Sequence, residues 1–196
     1  MKDRLMQVAL ELMTSHGLKF TMSDLASELG TSKRTIYEHF ASKEELIGAI
    51  VDESIAEVIQ IEKGIYEDDS LSCVEKLKQV LSIVPSGLKL SDRRLLAEMK
   101  RFSPNEWSKI NNYLQEEYGW GTVKNILEEG IAAGDIRPVH VPSVLQMMIG
   151  ASAAIFDPDF LLRSSCTLRQ AVETMAEMLT FGLSAAQENV NDAREG

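Results

Sequence analysis

LASELGTSKRTIYEHFASKEEL, residues 25–46, is the stretch on which the reading of the chain turns. A small residue, Ala26, is followed four positions on by Gly30 and ten on by Ile36. In a helix-turn-helix the small side chain lets the second helix approach closely. The glycine takes the left-handed conformation of the turn, and the later aliphatic packs the crossing. The connecting GTS has the short length such a turn needs. Ser32 caps the second helix of the pair, read as Lys33 to about Phe40, with Ile36 and Phe40 inward at i, i+4.

The flanking sequence is punctuated in the same way. Lys2 to about His16 reads as a first helix with Leu5, Ala9, Leu12 and Met13 on one face, ended by Gly17. Thr21 caps the next helix, with Asp24 three residues on as an approximate capping box, and Gly30 closes it. Ser42 caps a fourth helix, with Glu45 in the box position.

With Ile36 and Phe40 inside, helical spacing puts Lys33, Arg34, Tyr37 and, at the edge, His39 outside. A positive, hydrogen-bonding face at the start of such a helix suits the major groove of double-stranded DNA. Lys33 and Arg34 are candidates for base edges, Tyr37 and His39 for phosphates, and Lys43 for the DNA backbone. Glu38 is expected to turn towards Arg34, its i, i+4 neighbour. The charge distribution agrees. The chain carries a net charge of -10, yet residues 1–47 hold six Lys and Arg against seven Asp and Glu. A polyanion is repelled by the acidic remainder, so any contact with DNA belongs to this N-terminal part.

This segment resembles the N-terminal domain of the TetR family of bacterial transcriptional regulators. A helix ending in Gly, a recognition helix, Tyr-x-His-Phe, x-x-Lys and a long fourth helix follow in the family's order. ALELMTSHGLKFTMSDLA matches the family's first helix, its His/Gly ending and its Thr cap, so the resemblance covers roughly residues 3–50. It implies phosphate contacts at Thr21, Thr35, Tyr37, His39 and Lys43, with base contacts near Lys33 and Arg34 and Ser32 at the cap between them. Arg34 stands where many members have glycine, and the arm before helix one is very short.

The expected fold is all-α: a helix-turn-helix DNA-binding domain at 1–47, a larger helical ligand-binding and dimerisation domain at 48–186, and a frayed tail at 187–196. The fourth helix continues to about Lys63. LSCVEKLKQVLSIV follows as an amphipathic helix with Val74, Leu77, Val80, Leu81 and Val84 inside, ended by Pro85 and Gly87. SDRRLLAEMKRF, NEWSKINNYLQEEY and TVKNILEEGIAAG read as further helices, and RPVHVP as an extended connection. Two final helices, about 142–156 and 167–184, flank DPDFLLRSSC, which reads as a break. Both are rich in Ala, Gly, Ser and Met, which lets helices approach closely, and a homodimer through them is expected. The resemblance implies the same. Two recognition helices related by a two-fold axis would read a palindromic operator.

Met99, Phe102, Trp107, Tyr113 and Trp120, with Met147, Met148 and Phe156 later, supply apolar, adaptable side chains for a pocket. Met99, Phe102, Trp107, Tyr113 and Met147 are the lining candidates, and the resemblance implies a small-molecule effector in this region. Catalysis is not expected. The three histidines, 16, 39 and 140, form no metal-ligand spacing, Cys73 and Cys166 stand far apart, and no phosphate-cradling glycine loop occurs. No cofactor, metal or membrane span is expected, and the chain is placed in the cytoplasm. The expectation is thus a dimeric repressor released from a palindromic operator by a small, apolar ligand, with an architectural or division-coupled DNA-binding protein lacking an inducer as the alternative.

Overall fold

The computed structural model describes residues 1–84, 93–115 and 120–184. Eleven α-helices occupy them, and the one strand-like feature among the described residues is an isolated antiparallel bridge between Ile136 and Ser184. The head comprises α1 (Lys2–His16), α2 (Met22–Glu28), α3 (Lys33–Tyr37) and the first turns of α4 (Lys43–Tyr66). α1 runs over its expected length and buries Leu5, Met6, Ala9, Leu10, Leu12 and Met13. It stops at Gly17, whose φ of 64° only glycine adopts readily, and a short 3-10 turn, Gly17–Lys19, leads towards α2.

Both expected caps around the turn are formed. The Thr21 hydroxyl accepts the Asp24 N–H, and the Asp24 carboxylate takes the Thr21 N–H in return, completing the capping box. The Ser32 hydroxyl accepts the Thr35 N–H at 3.1 Å. α3 is shorter than the sequence suggested and ends at Tyr37. His39 and Phe40 both direct their N–H groups to the Ile36 carbonyl, tightening the chain into a turn, and Phe40 still reaches the core. At Ser42 the box is half-formed: its hydroxyl accepts the Glu45 N–H, whereas the Glu45 carboxylate takes the N–H of Ala41 rather than that of Ser42.

The body contains α5 (Cys73–Leu81), α6 (Arg93–Phe102), α7 (Pro104–Gln115), α8 (Gly121–Ala133), α9 (Val141–Ile155), α10 (Pro158–Arg163) and α11 (Leu168–Phe181). Pro104 opens α7, and Gly134, at φ 80°, closes α8. The segment read as a break before the last helix holds α10. Asp157 accepts the N–H groups of Asp159 and Phe160, and Pro158 supplies the first helical φ, so a six-residue helix fits between two longer ones. Leu161 then reaches the core, which a disordered connection would not allow. Pro85, Gly87 and the tail at 187–196 lie outside the described residues.

Two apolar clusters hold the fold together. The first joins Leu5, Met13, Leu25, Ile36, Phe40 and Leu46 of the head to Leu95, Leu96 and Met99 of α6, Leu161 of α10 and Leu168 and Val172 of α11. The second packs Leu77 and Leu81 of α5 with Ile126 and Leu127 of α8, Met148 of α9 and Ala176 of α11. The boundary expected at residue 47 falls within α4, so one continuous helix runs from the head into the body.

Candidate nucleic-acid interface

Ala26 and Ile36 are both buried where α2 meets α3, and Gly30, at φ 63°, makes the turn between them. Thr31 donates its N–H to the Ala26 carbonyl at 2.9 Å, which fixes the entry to α3. The spacing 26–30–36 therefore does in the structure what it predicts in sequence. Ile36 anchors the inner side of α3, and Lys33, Arg34, Tyr37 and His39 are all exposed. Thr21 and Ser32 are exposed as well, and Thr35 is half-buried with its hydroxyl 3.0 Å from that of Ser32.

The electrostatics of this face are local. Arg34 pairs with Glu38 through Nε and Oε1 at 3.3 Å, as its i, i+4 spacing suggests. Both side chains are well exposed, so the pair is worth only ~0–1 kcal/mol and leaves Arg34 free to re-aim at small cost. The Asp24 carboxyl is held below its usual value, first by the Thr21 N–H and then by the Thr21 hydroxyl, so it stays ionised at the helix N-terminus.

Lys43 sits differently from its expected role. Its ammonium donates to the carbonyls of Leu18 and Phe20 at 2.5 and 2.6 Å and lies 4.4 Å from the centre of the Phe20 ring. Burial lowers its pKa. In this conformation the ammonium ties α4 to the α1–α2 connection instead of pointing outward. The sequence held no signal for this, because the two carbonyls lie more than twenty positions away.

A second candidate site lies in the body. A cavity of about 500 Å³, its mouth included, is lined by Val58 and Glu62 of α4, Val80 of α5, Tyr113 of α7, Trp120 and Phe156. Of the five lining candidates from sequence, Tyr113 lines it. Met99 is fully buried in the first core cluster, and Trp107 packs against that cluster half-buried. Phe102 and Met147 are instead 54% and 64% exposed. The correction has two causes: α9 buries Leu145 and Met148, which turns Met147 out, whereas Phe102 shares a face with Leu95 and Met99 but is the last residue of α6 and is left exposed at its end. The contribution of α4 was missed, because Val58 and Glu62 look like ordinary positions of a long solvated helix. Glu62 accepts a hydrogen bond from the Tyr113 hydroxyl at 3.1 Å, and burial raises its pKa against the opposing effect of that bond.

Among the described residues no group of three or more His, Cys, Asp or Glu is placed to hold a metal ion. No described helix is long and apolar enough to cross a membrane. Both cysteines are free and half-buried.

Known proteins match most of this chain. The family model for bacterial regulatory proteins of the tetR family matches residues 5–50. The uncharacterized HTH-type transcriptional regulator YvaF of Bacillus subtilis is 36% identical over 188 residues, covering 96% of this chain and 98% of that protein. The HTH-type transcriptional repressor KstR2 of Mycolicibacterium smegmatis is 29% identical over 70% of this chain and 68% of its own length. Among solved structures, the transcriptional regulator FadR of Bacillus subtilis in complex with stearoyl-CoA superposes with a TM-score of 0.61 at 21% identity, covering 93% of this chain and all of that one. Members of this family regulate transcription and are not enzymes. A helix-turn-helix head of this geometry, carried on a helical body and matched over 96% of the chain by a relative, makes the chain a member of the TetR family of transcriptional regulators.

Proposed function

We propose that the chain is a homodimeric repressor of the cytoplasm that holds a palindromic operator through two copies of α3 and is released by a small ligand in the body cavity. One observation carries the reading. α4 begins beside the DNA-facing helix and continues to Val58 and Glu62 in the cavity wall, so one rigid element touches both sites. A ligand that prefers one placement of α4 would move the head with it, by no more than its differential affinity for the two placements. The family's transcriptional role, the repressor among its relatives and the acyl-CoA held by FadR support repression and ligand response.

Dimerisation through α9 and α11 is supported by what those helices leave uncovered. Met147 of α9 and Met178 and Phe181 of α11 are 64%, 72% and 70% exposed, beside Gly150 and Ala154, which leave room for close approach. Large apolar side chains exposed together mark a contact surface. Lys33 and Arg34 would read bases, with Thr21, Ser32, Thr35, Tyr37, His39 and a re-aimed Lys43 on phosphates. The head would comprise residues 1–47 and the ligand-binding and dimerisation body 48–186.

The test is to incubate the full chain with sheared DNA of its source at near-physiological salt and sequence what is retained. Enrichment of one or a few palindromes is the expected result. Retention at many scattered sites would indicate an architectural protein, and no enrichment would remove the DNA assignment of α3.

A further inference from the structure

The cavity beside Glu62 does not stand alone. A second cavity of about 530 Å³, its mouth included, shares Val58, Ile83, Tyr113, Leu114 and Phe156 with it and extends to Val51 of α4 and Leu96 of α6. The two adjoin along these shared side chains and form a largely apolar chamber in two parts. Its far end touches side chains that also belong to the core shared with the head, namely Val51 and Leu96. Its near end carries Glu62, the single formally charged side chain among the described residues that line either part.

A carboxylate in such a wall is costly unless it is paired and hydrogen-bonded. Glu62 has one hydrogen bond, from the Tyr113 hydroxyl, and among the described residues no lysine, arginine or histidine lies in the chamber wall to neutralise it. The hydroxyl holds one carboxylate oxygen and so orients the group. The remaining walls are aliphatic and aromatic, with Trp120, Phe156 and Tyr113 at the same end. Aromatic faces attract cations, and a half-buried carboxylate attracts them more strongly than one in open water. An anionic head group would instead meet a like charge in this half-buried wall.

We propose that the effector of this protein is an organic cation, an amine or quaternary ammonium on an apolar body, whose charge pairs with Glu62 while the body fills the chamber towards Leu96. The proposal deepens the reading of the chamber as the effector site and rests on it. Two features agree. The chain as a whole carries a net charge of -10, which draws cations to its surface and repels anions. The pairing would sit on α4, the helix that also enters the head, so charge recognition and release of DNA would act through the same element.

The experiment uses the full-length protein and three probes with one tail: decylammonium, decanol and decanoate, below micelle-forming concentrations. Binding is read from tryptophan fluorescence, with Trp120→Phe to assign the signal to the chamber rather than to Trp107. The expected order is decylammonium tightest and decanoate weakest, with roughly tenfold or more between the cation and the alcohol. Glu62→Gln, which retains an acceptor for Tyr113, should remove that advantage and leave decanol within about twofold of its wild-type affinity. Because the order among probes is measured on the unaltered protein first, poor folding of the variant would not shield the proposal. Decanoate binding as tightly as decylammonium would overturn it, as would a cation preference that survives in Glu62→Gln, since that preference would then arise from the acidic surface. In either case saturable decanol binding would leave the chamber standing as an effector site. Failure of all three probes to bind would overturn both the proposal and the effector site.

Discussion

Glu98 of α6 accepts the backbone N–H of Leu18 at 2.6 Å, across eighty residues of chain. The Leu18 carbonyl in turn accepts from the Lys43 ammonium at 2.5 Å. The turn after α1 is therefore gripped from the body by a carboxylate and from α4 by an ammonium. Gly17 makes the grip possible: a Cβ there would collide with a carboxylate oxygen of Glu98, and its φ is positive as well.

Glu98→Ala should lower stability by ~1–3 kcal/mol, since the Leu18 N–H loses a charged acceptor in a half-buried place. Gly17→Ala should cost at least ~1 kcal/mol from backbone strain alone. Urea unfolding midpoints check both. An unchanged midpoint in Glu98→Ala would show that water replaces the carboxylate without loss and that the head is not tied here.

Lys43→Met keeps the stem over Phe20 and removes both bonds to the carbonyls of Leu18 and Phe20. A stability loss of ~1–2 kcal/mol is expected in the free protein. If Lys43 also re-aims to a phosphate, the salt dependence of DNA binding should flatten by about one contact per subunit. Loss of stability with an unaltered salt slope would confine Lys43 to its internal role.

Arg34→Ala should leave folding within ~0.5 kcal/mol of wild type, because its pair with Glu38 is exposed. It should shift the preferred base at one position of the site by ~1–3 kcal/mol, whereas Tyr37→Phe should weaken all sequences alike. Selected-site profiles separate the two behaviours. Identical profiles for Arg34→Ala and wild type would take Arg34 out of base reading.

Glu62 carries a pH signature. Burial raises its folded pKa above the ordinary 4.5, so its protonated form is the one the fold favours. That contribution is fully present below pH 4.5 and is lost as pH rises through the folded value. Glu62→Gln should therefore be more stable than wild type near neutral pH, and the gap should close as pH falls through about 4.5. Thermal melts at a series of pH values give the comparison, and a gap independent of pH would mean that the carboxylate is solvated after all.

The double substitution Met178→Glu, Phe181→Glu should yield a folded monomer, because both side chains already face out of the protomer. Sedimentation would show the mass halve, and binding to a palindromic site should weaken by ~100-fold or more as the second head is lost. A dimer that persists would move the subunit contact away from α11.

By itself the sequence determined whatever depends on a few neighbouring residues. The capping box at Thr21 and Asp24, the Ser32 cap, the positive φ of Gly17, Gly30 and Gly134, and the Arg34–Glu38 pair all form between groups within four positions of one another or within single glycines. The inward Ile36 and outward Lys33, Arg34 and Tyr37 follow from the helical period once one buried residue is known. Tertiary structure alone decided the rest. Lys43 meets the carbonyls of residues 18 and 20, Glu98 meets Leu18, and Glu62 meets Tyr113 only because separate helices cross there. Phe102 and Met147 are as apolar as Met99, yet they are exposed, because which part of a helix is buried depends on its neighbours in space and not on its own composition.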